Sequence, residues 1–558
     1  MSHRSENDNV APASKRQSRS LMLLGCTALA APAVFAQTTP SDLIVSGTTY
    51  QDVGQAATLT AGSSLLAPTT LGGANTVAVA NGQYQNVFLN AGADASFGVT
   101  SQVFLQNVTT NSTYEINPAS VVGSFSSKSE LALNVSSDGS AITFMAYNPQ
   151  TSYSSTGTGG VAAVTTGGNN NLGLLDISNS NTPGLIDPTN GVNATAYRSV
   201  TQVSIASLLS GTSGTLSTGP GLSVTNTNAY SGNNGRAVVL YNGQYYIVGN
   251  AGNTGTGVTG ATRELLAQNT GVQMITPGAS SPNSTVVGAC SGTAGATKGY
   301  QCGFNITSIG GTADTTGKDD NFRGLTAYGG NLYVSKGSGS NGVDTVYQVS
   351  GLNAPSTASV SILPGFPTAS PTGATGAPFG MFFANSSTLY VAYEGGDTIA
   401  GANGALADQG GLVKYSLVGS TWKADYTISS GLGSFTGGAV GADTGSTTFY
   451  TDGLRNLTGK VNANGTVTLY AVTSTLTDSG AGTNWDQGAN PDQIVSLTDT
   501  VAATTAGSGE AFSTLETSAE GTVYRGVALA PVPLPATAWL LLSGLGGLGL
   551  ARRRRQPA

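Results

Sequence analysis

The sequence predicts an all-β fold, a β-propeller of about seven blades, and three observations carry that expectation. Helical periodicity is almost absent between residues 37 and 530; runs of four to seven Val, Ile, Leu, Tyr, Phe and Thr residues recur instead, punctuated by Gly or Asn-Gly. Asn242-Gly243 and Gly329-Gly330 separate such runs in pairs, the signature of type I′ hairpins, in which both central residues need positive φ. The hairpins also resemble copies of one unit, loosely spaced by roughly 50 to 80 residues, the mark of repeated antiparallel sheets.

Taken in chain order, Asp42-Leu43-Ile44-Val45-Ser46 opens the body as a strand, and Ser129-Glu130-Leu131-Ala132 leads into a hairpin at Asp138-Gly139. A cycle then starts near Asn234-Gly235-Arg236 and runs through Ala237–Tyr241 and Tyr245–Val248. Another covers Asn321-Phe322-Arg323-Gly324-Leu325, Tyr333-Val334 and Asp344–Val349, which reads as three strands. Pro378-Phe379-Gly380-Met381, Leu389–Ala392 and Gly411–Ser416 repeat that order, and Gly453-Leu454-Arg455 begins one more. Tyr524-Arg525-Gly526-Val527-Ala528-Leu529 repeats the start of an innermost strand but has no blade after it, so the strand at residues 42–46 is expected to supply a missing outer strand and close the ring. A parallel β-helix is the alternative fold, although it wants shorter and more regular repeats; tandem β-sandwiches would want linkers that the sequence lacks.

The two ends read as targeting segments around a body at residues 37–530. Arg4, Lys15, Arg16 and Arg19 precede an apolar core from Leu21 to Ala31, and Val34-Phe35-Ala36 offers a signal-peptidase junction between Ala36 and Gln37. At the other end, residues 531–558 comprise a Pro-rich hinge, an apolar run and an arginine block. Ala536 to Ala551 carry no charge, a helix of roughly 24 Å at ~1.5 Å per residue. Arg552, Arg553, Arg554 and Arg555 are expected on the cytoplasmic side of the inner membrane, with Trp539 at the outer interface.

Val532-Pro533-Leu534-Pro535-Ala536, then Trp539-Leu540-Leu541-Leu542-Ser543-Gly544-Leu545, a Gly/Leu stretch and the arginines resemble the bacterial PEP-CTERM sorting signal; Leu534 stands where Glu is common. The resemblance implies export, an inner-membrane-tethered precursor, processing by an exosortase-type membrane protease, and an extracellular or cell-surface product, often in bacteria that make exopolysaccharide and biofilm. It covers only the tail. The body is similar, on strand pattern and Arg-Gly-Leu starts alone, to NHL-like or quinoprotein-like surface propellers, and no functional residue is carried over from them.

Composition removes several function classes. The single histidine, His3, lies in the segment expected to be removed, which leaves no imidazole for Ser-His-Asp or Cys-His catalysis or for His-ligated zinc or haem. Of 21 basic and 28 acidic residues, four basic ones fall in each targeting segment and two acidic ones, Glu6 and Asp8, in the first, so the body keeps 13 and 26 and is near −13. Such an acidic surface disfavours nucleic acid. Cys290 and Cys302 form an even pair twelve positions apart, expected as a disulfide in an oxidising compartment, with free thiols as the alternative.

Three constellations are candidate sites. Arg236, Arg323 and Arg525 stand at inner-strand starts, with Arg455 in a related Gly-Leu-Arg-Asn-Leu setting, where their guanidiniums could ring one mouth of the channel and bind a carboxylate or uronate; the structural alternative is that each ties its own blade to backbone carbonyls or to a neighbouring carboxylate. Asp319, Asp320, Glu394 and Asp397 are candidate calcium ligands, and with Asp452 and Asp486 they are the residues from which a carboxylate pair for glycoside hydrolysis would be drawn. Trp422 and Trp485 fall in polar segments and are candidates for stacking on sugar rings, whereas Tyr245, Tyr246, Tyr333, Tyr390 and Tyr470 are expected between blades. The favoured function is a non-catalytic binding or scaffold module of the extracellular polysaccharide layer; the alternative is a secreted carboxylate-dependent hydrolase or lyase.

Overall fold

A computed structural model describes residues 41–49, 65–66, 76–80, 88–90 and 100–531, apart from 119, 125–127, 149–176, 178, 188–194, 212, 217–221, 253–256, 280–283, 338–341, 370–376, 397, 400–405, 440–445, 478–487, 489 and 520. Six antiparallel sheets stand round a ring as the blades of a propeller-like arrangement. The expectation of about seven counted residues that the chain spends on the long connections between second and third strands, so fewer blades consume the same length.

Blade 1 joins the two ends of the body. Its innermost strand is Thr522–Pro531, followed outward by Ser41–Thr49, Thr100–Asn107 and Ser112–Ile116. The strand expected from residues 42–46 therefore does close the ring, but as the second strand and not an outer one, and its register runs from Ser41 opposite Pro531 to Thr49 opposite Thr522. Both edges of Ser41–Thr49 are paired, which removes the open ladder that a last, incomplete blade would present.

Blades 2 to 6 begin with inner strands Asn134–Val135, Gly235–Tyr241, Phe322–Tyr328, Pro378–Asn385 and Ser446–Val461. Each inner strand packs beside the next, and that of blade 6 meets Thr522–Pro531, so the circle is complete. The sheets of blades 2 to 5 have four strands where the sequence suggested three, the outermost of blade 4, Ser359–Ile362, being only four residues long; that of blade 1 has six and that of blade 6 has five, with Ser434–Ala439 on the far side of Ser446–Val461 from Thr466–Thr477. The hairpins fall where Asn-Gly and Gly-Gly place them: Asn242, Gly243, Gly329 and Gly330 have φ of 49, 75, 57 and 87°.

Six apolar clusters lie one at each blade junction. Ile44, Leu105, Leu133 and Phe144 fill that between blades 1 and 2, and Val45, Val472, Ile494 and Val527 that between 6 and 1. Tyr245, Tyr246, Tyr333 and Tyr390 pack in four of these layers, as expected, and Tyr470 lies against another. Between blades 5 and 6, Lys414 pairs with Asp499 at 3.0 Å, and Tyr390 and Tyr426 both donate to that carboxylate. Outside the blades, Cys290 and Cys302 face each other across a two-stranded ladder and form a disulfide with Cα atoms 3.8 Å apart.

The centre of the ring sets a steric limit. A Cβ on Gly324 of blade 4 would strike the carbonyl oxygen of Phe379 in blade 5, one on Gly380 would strike Arg455 and Leu457 in blade 6, and one on Gly526 would lie within 2.5 Å of Leu131 O and 2.6 Å of Leu133 N in blade 2. Ladder irregularities fall beside these glycines, between Phe322 and Gly324 and between Pro378 and Met381. Gly526→Val should therefore lower stability by at least about 1–3 kcal/mol through overpacking, while Gly214→Ala, which has open space around it, should be near neutral. Urea denaturation midpoints compare the two, and equal midpoints would contradict close inner-strand packing.

Candidate functional site

Arg236, Arg323 and Arg525 sit within the first four residues of an inner strand and Arg455 is the tenth residue of the long Ser446–Val461, each in a stretch where the ladder to the second strand slips. The slips between Gly235 and Ala237, Phe322 and Gly324, and Leu454 and Leu457 bracket Arg236, Arg323 and Arg455, and that of blade 1 leaves Arg525 without a cross-strand partner. A bulge frees the side chain from strict alternation and re-aims it. Arg236, Arg323 and Arg525 mark a rim where inner strands begin, and Arg455 reaches that rim through the carboxylate it shares with Arg323, Glu394.

The rim is stitched between blades. Arg455 of blade 6 donates to Glu394 Oε1 from Nε at 2.9 Å and from Nη2 at 2.8 Å, while Arg323 of blade 4 approaches Glu394 Oε2 at 3.6 Å. Glu394, just beyond the second strand of blade 5, therefore links three successive blades. Arg323 also lies over the Phe379 ring, 5.3 Å from its centroid. Arg525 of blade 1 meets Asp492 of blade 6 at 3.5 Å and donates to Gly488 O, and Arg236 of blade 3 donates to Asn321 Oδ1 and, at 3.2 Å, to Phe322 O at the start of blade 4. These contacts, to backbone carbonyls, an amide and carboxylates, cross from blade to blade.

Sequence reasoning missed several members of this rim. Arg198 is fully buried and donates to Ala196 O at 2.9 Å, to Ser180 O at 2.7 Å and to Asn233 O, with its guanidinium 5.3 Å from the Tyr147 ring centroid. Tyr147 in turn donates to Glu130. Asn456 accepts from Val527 N at 2.6 Å and Leu133 N at 3.4 Å, joining blades 6, 1 and 2. Arg198, Arg236, Arg263, Arg455, Arg525, Lys336 and Lys414 are all buried, seven of the body's 13 cations, and among the described residues they share the interior with nine buried acids, among them Glu130, Glu394, Asp452, Asp492 and Asp499.

Burial governs the proton affinities. Arg236 is lowered to about 9 by desolvation first and then by the charge of Arg323, and it remains a cation at neutral pH. Asp492 is raised to about 7 by burial, against the pull of Arg525. Asp319 and Asp320 are raised to about 6 and about 8, by burial first; the neighbouring Asp319 adds to the shift at Asp320. Asp319 accepts from Ile306 N at 2.8 Å and Asp320 from Thr270 at 3.4 Å.

The other candidates separate. Glu394 is engaged by two guanidiniums, Asp397 lies outside the described residues, and among the described residues no group of three or more His, Cys, Asp or Glu is placed to hold a metal ion. Trp422 is not on a polar loop: it lies in Thr421–Ile428, is 6% exposed and meets Phe383 edge-on at 5.9 Å in the layer between blades 4 and 5. It is a wall of the core, closed to a sugar ring. Trp485 and Asp486, the junction at Ala36 and Gln37, and the tail from Val532 onward lie outside the described residues. Among the described residues no helix is long and apolar enough to cross a membrane.

Two outcomes test this rim. Glu394→Gln leaves two guanidiniums facing a neutral amide and should cost about 3–5 kcal/mol, as breaking a buried pair does; a denaturation midpoint equal to wild type would contradict the stitch. Asp320 has a folded-state pKa above its ordinary 3.8, so the fold holds a proton that the unfolded chain releases. Its contribution to stability is full below about pH 4 and is lost as pH rises through about 8. Melting temperature should fall between pH 5 and 8, and Asp320→Asn should flatten that slope; an unchanged slope would count against it.

The identity of the tail comes from comparison. No curated protein matches the chain. Residues 531–555 match the PEP-CTERM protein-sorting motif, which begins at Pro531, the last residue of the innermost strand of blade 1. That motif marks an exosortase-targeted exported protein, whose membrane-anchored precursor is processed by exosortase, a membrane protein, and sorted to the surface.

Proposed function

We propose that the protein is a non-catalytic binding or scaffold module of the extracellular polymer layer, delivered as a closed propeller ring by its sorting tail. The observation that carries this reading is the state of the rim acids: Glu394 and Asp492 are committed to guanidiniums across blade junctions. A glycoside hydrolase needs two carboxyl groups about 5–10 Å apart with room for substrate between them, and paired, buried acids do not offer that. The absence of histidine outside residue 3 supports the same choice. Within the rim, Arg323 has the most open side chain, at 15% exposure against 2–4% for Arg455 and Arg525. It is the group that would meet a carboxylated polysaccharide.

One observation favours the hydrolase reading. Asp319 and Asp320 are adjacent acids with raised proton affinity, a trait of general acids, but both are buried. A single experiment addresses both readings: the purified protein is passed over immobilised polyuronate and a neutral glucan, and the eluates are assayed for new reducing ends. Retention on polyuronate that falls with salt and is weakened by Arg323→Ala, with no new reducing ends, is expected. Released sugar would overturn the choice, and equal passage through both matrices would remove the carboxylate ligand.

A further inference from the structure

The ring has two unlike faces, and closure of blade 1 decides which of them the sorting tail leaves from. Inner strands run from the arginine rim to the opposite face, where those of blades 2 to 6 turn back tightly into the second strand. Tyr241 pairs with Gln244, Tyr328 with Asn331, Asn385 with Thr388 and Val461 with Val467 at these turns. Pro531 ends its strand on this turn face, opposite Ser41, and a Cβ on Gly139 in the blade 2 turn would come within 3.4 Å of the Pro531 ring. Second strands end on the other face; there the connection of blade 3 leaves at Gly249 and returns at Gly271, which pair with each other, and it carries the helix Gly260–Gln268.

We propose that in the membrane-anchored precursor the turn face is held against the bilayer, while the arginine rim and its long loops point away from it. The proposal rests on the tail acting as the membrane anchor. Between Pro531 and Ala536, where the uncharged run begins, the chain can reach at most roughly 18 Å at ~3.6 Å per residue. Arg525 stands six residues before Pro531 along an extended strand, roughly 20 Å above it. Such a tether is too short for the ring to turn its rim toward the lipid. Whatever the rim binds is therefore accessible before the tail is processed, and the processing protease meets its motif at the base of the folded ring.

The test uses full-length protein inserted through its tail into preformed phosphatidylethanolamine/phosphatidylglycerol vesicles that carry a headgroup acceptor dye. In a Cys26→Ser background, a donor dye is placed either at Ala463→Cys, exposed in the blade 6 turn, or at Leu265→Cys, 48% exposed on the far-face helix. Strong energy transfer from position 463 and loss of most of it at 265 is expected. A Gly/Ser linker of about 20 residues inserted after Pro531, with a root-mean-square reach of roughly 25 Å, should bring the two positions closer in efficiency. Equal transfer from both positions without the linker, or stronger transfer from 265, overturns the orientation. Failure of the unmodified chain to associate with vesicles overturns the anchoring reading itself, and the two failures are told apart by vesicle flotation before the optical measurement.

Discussion

The pairing of Ser41–Thr49 with Thr522–Pro531 is the constraint on which the rest of this structure depends. It is the contact of longest sequence separation in the sheets, joining the first described strand to the last. Without it the sixth and second blades would flank an open gap, and the layers built on Val45, Val527, Ile44 and Ala528 would lose one wall. Loop-closure entropy makes such a contact slow to find. Once found, it removes two free sheet edges and fixes where both chain ends leave the ring.

Closure also explains the chemistry of the rim. Six inner strands brought round one axis leave little room at their starts, and glycine at 324, 380 and 526 together with ladder slips relieves the crowding. The same slips release Arg236, Arg323, Arg455 and Arg525 toward neighbouring blades. Buried ion pairs of this kind add little net stability over an apolar layer, because desolvation offsets the attraction, but an unpaired partner is costly. Their effect is to make each blade depend on its neighbour, since Glu394 satisfies guanidiniums on both sides and Asp492 joins the final strand to the blade before it.

Much of this was legible in the sequence wherever a local rule dictates conformation. Asn242-Gly243 and Gly329-Gly330 could hardly be anything other than tight hairpin turns, and the recurrence of Arg with Gly marked the inner strands. The outermost strand of blade 4, Ser359–Ile362, is only four residues long, so its Ser-Val-Ser-Ile alternation does not stand out from a loop, and the sequence shows three strands there and too many blades. The partner of Arg455 could not be read, because Glu394 lies 61 residues away and is brought near only by the ring. Arg198 left no trace either, since most of its partners are backbone carbonyls. Trp422 was placed in a polar segment by its neighbours Gly419, Ser420 and Lys423, yet the strand turns its ring inward against Phe383.

The most direct test of the account is native-state amide hydrogen exchange across the closure strands. If the ring is held shut by Ser41–Thr49 and Thr522–Pro531, amides in both should exchange only through global unfolding, with the same denaturant dependence as those of Asn331–Lys336 in blade 4. Exchange of the two closure strands at markedly lower free energy, while blade 4 stays protected, would mean that the ring stands without its seam and would contradict the account.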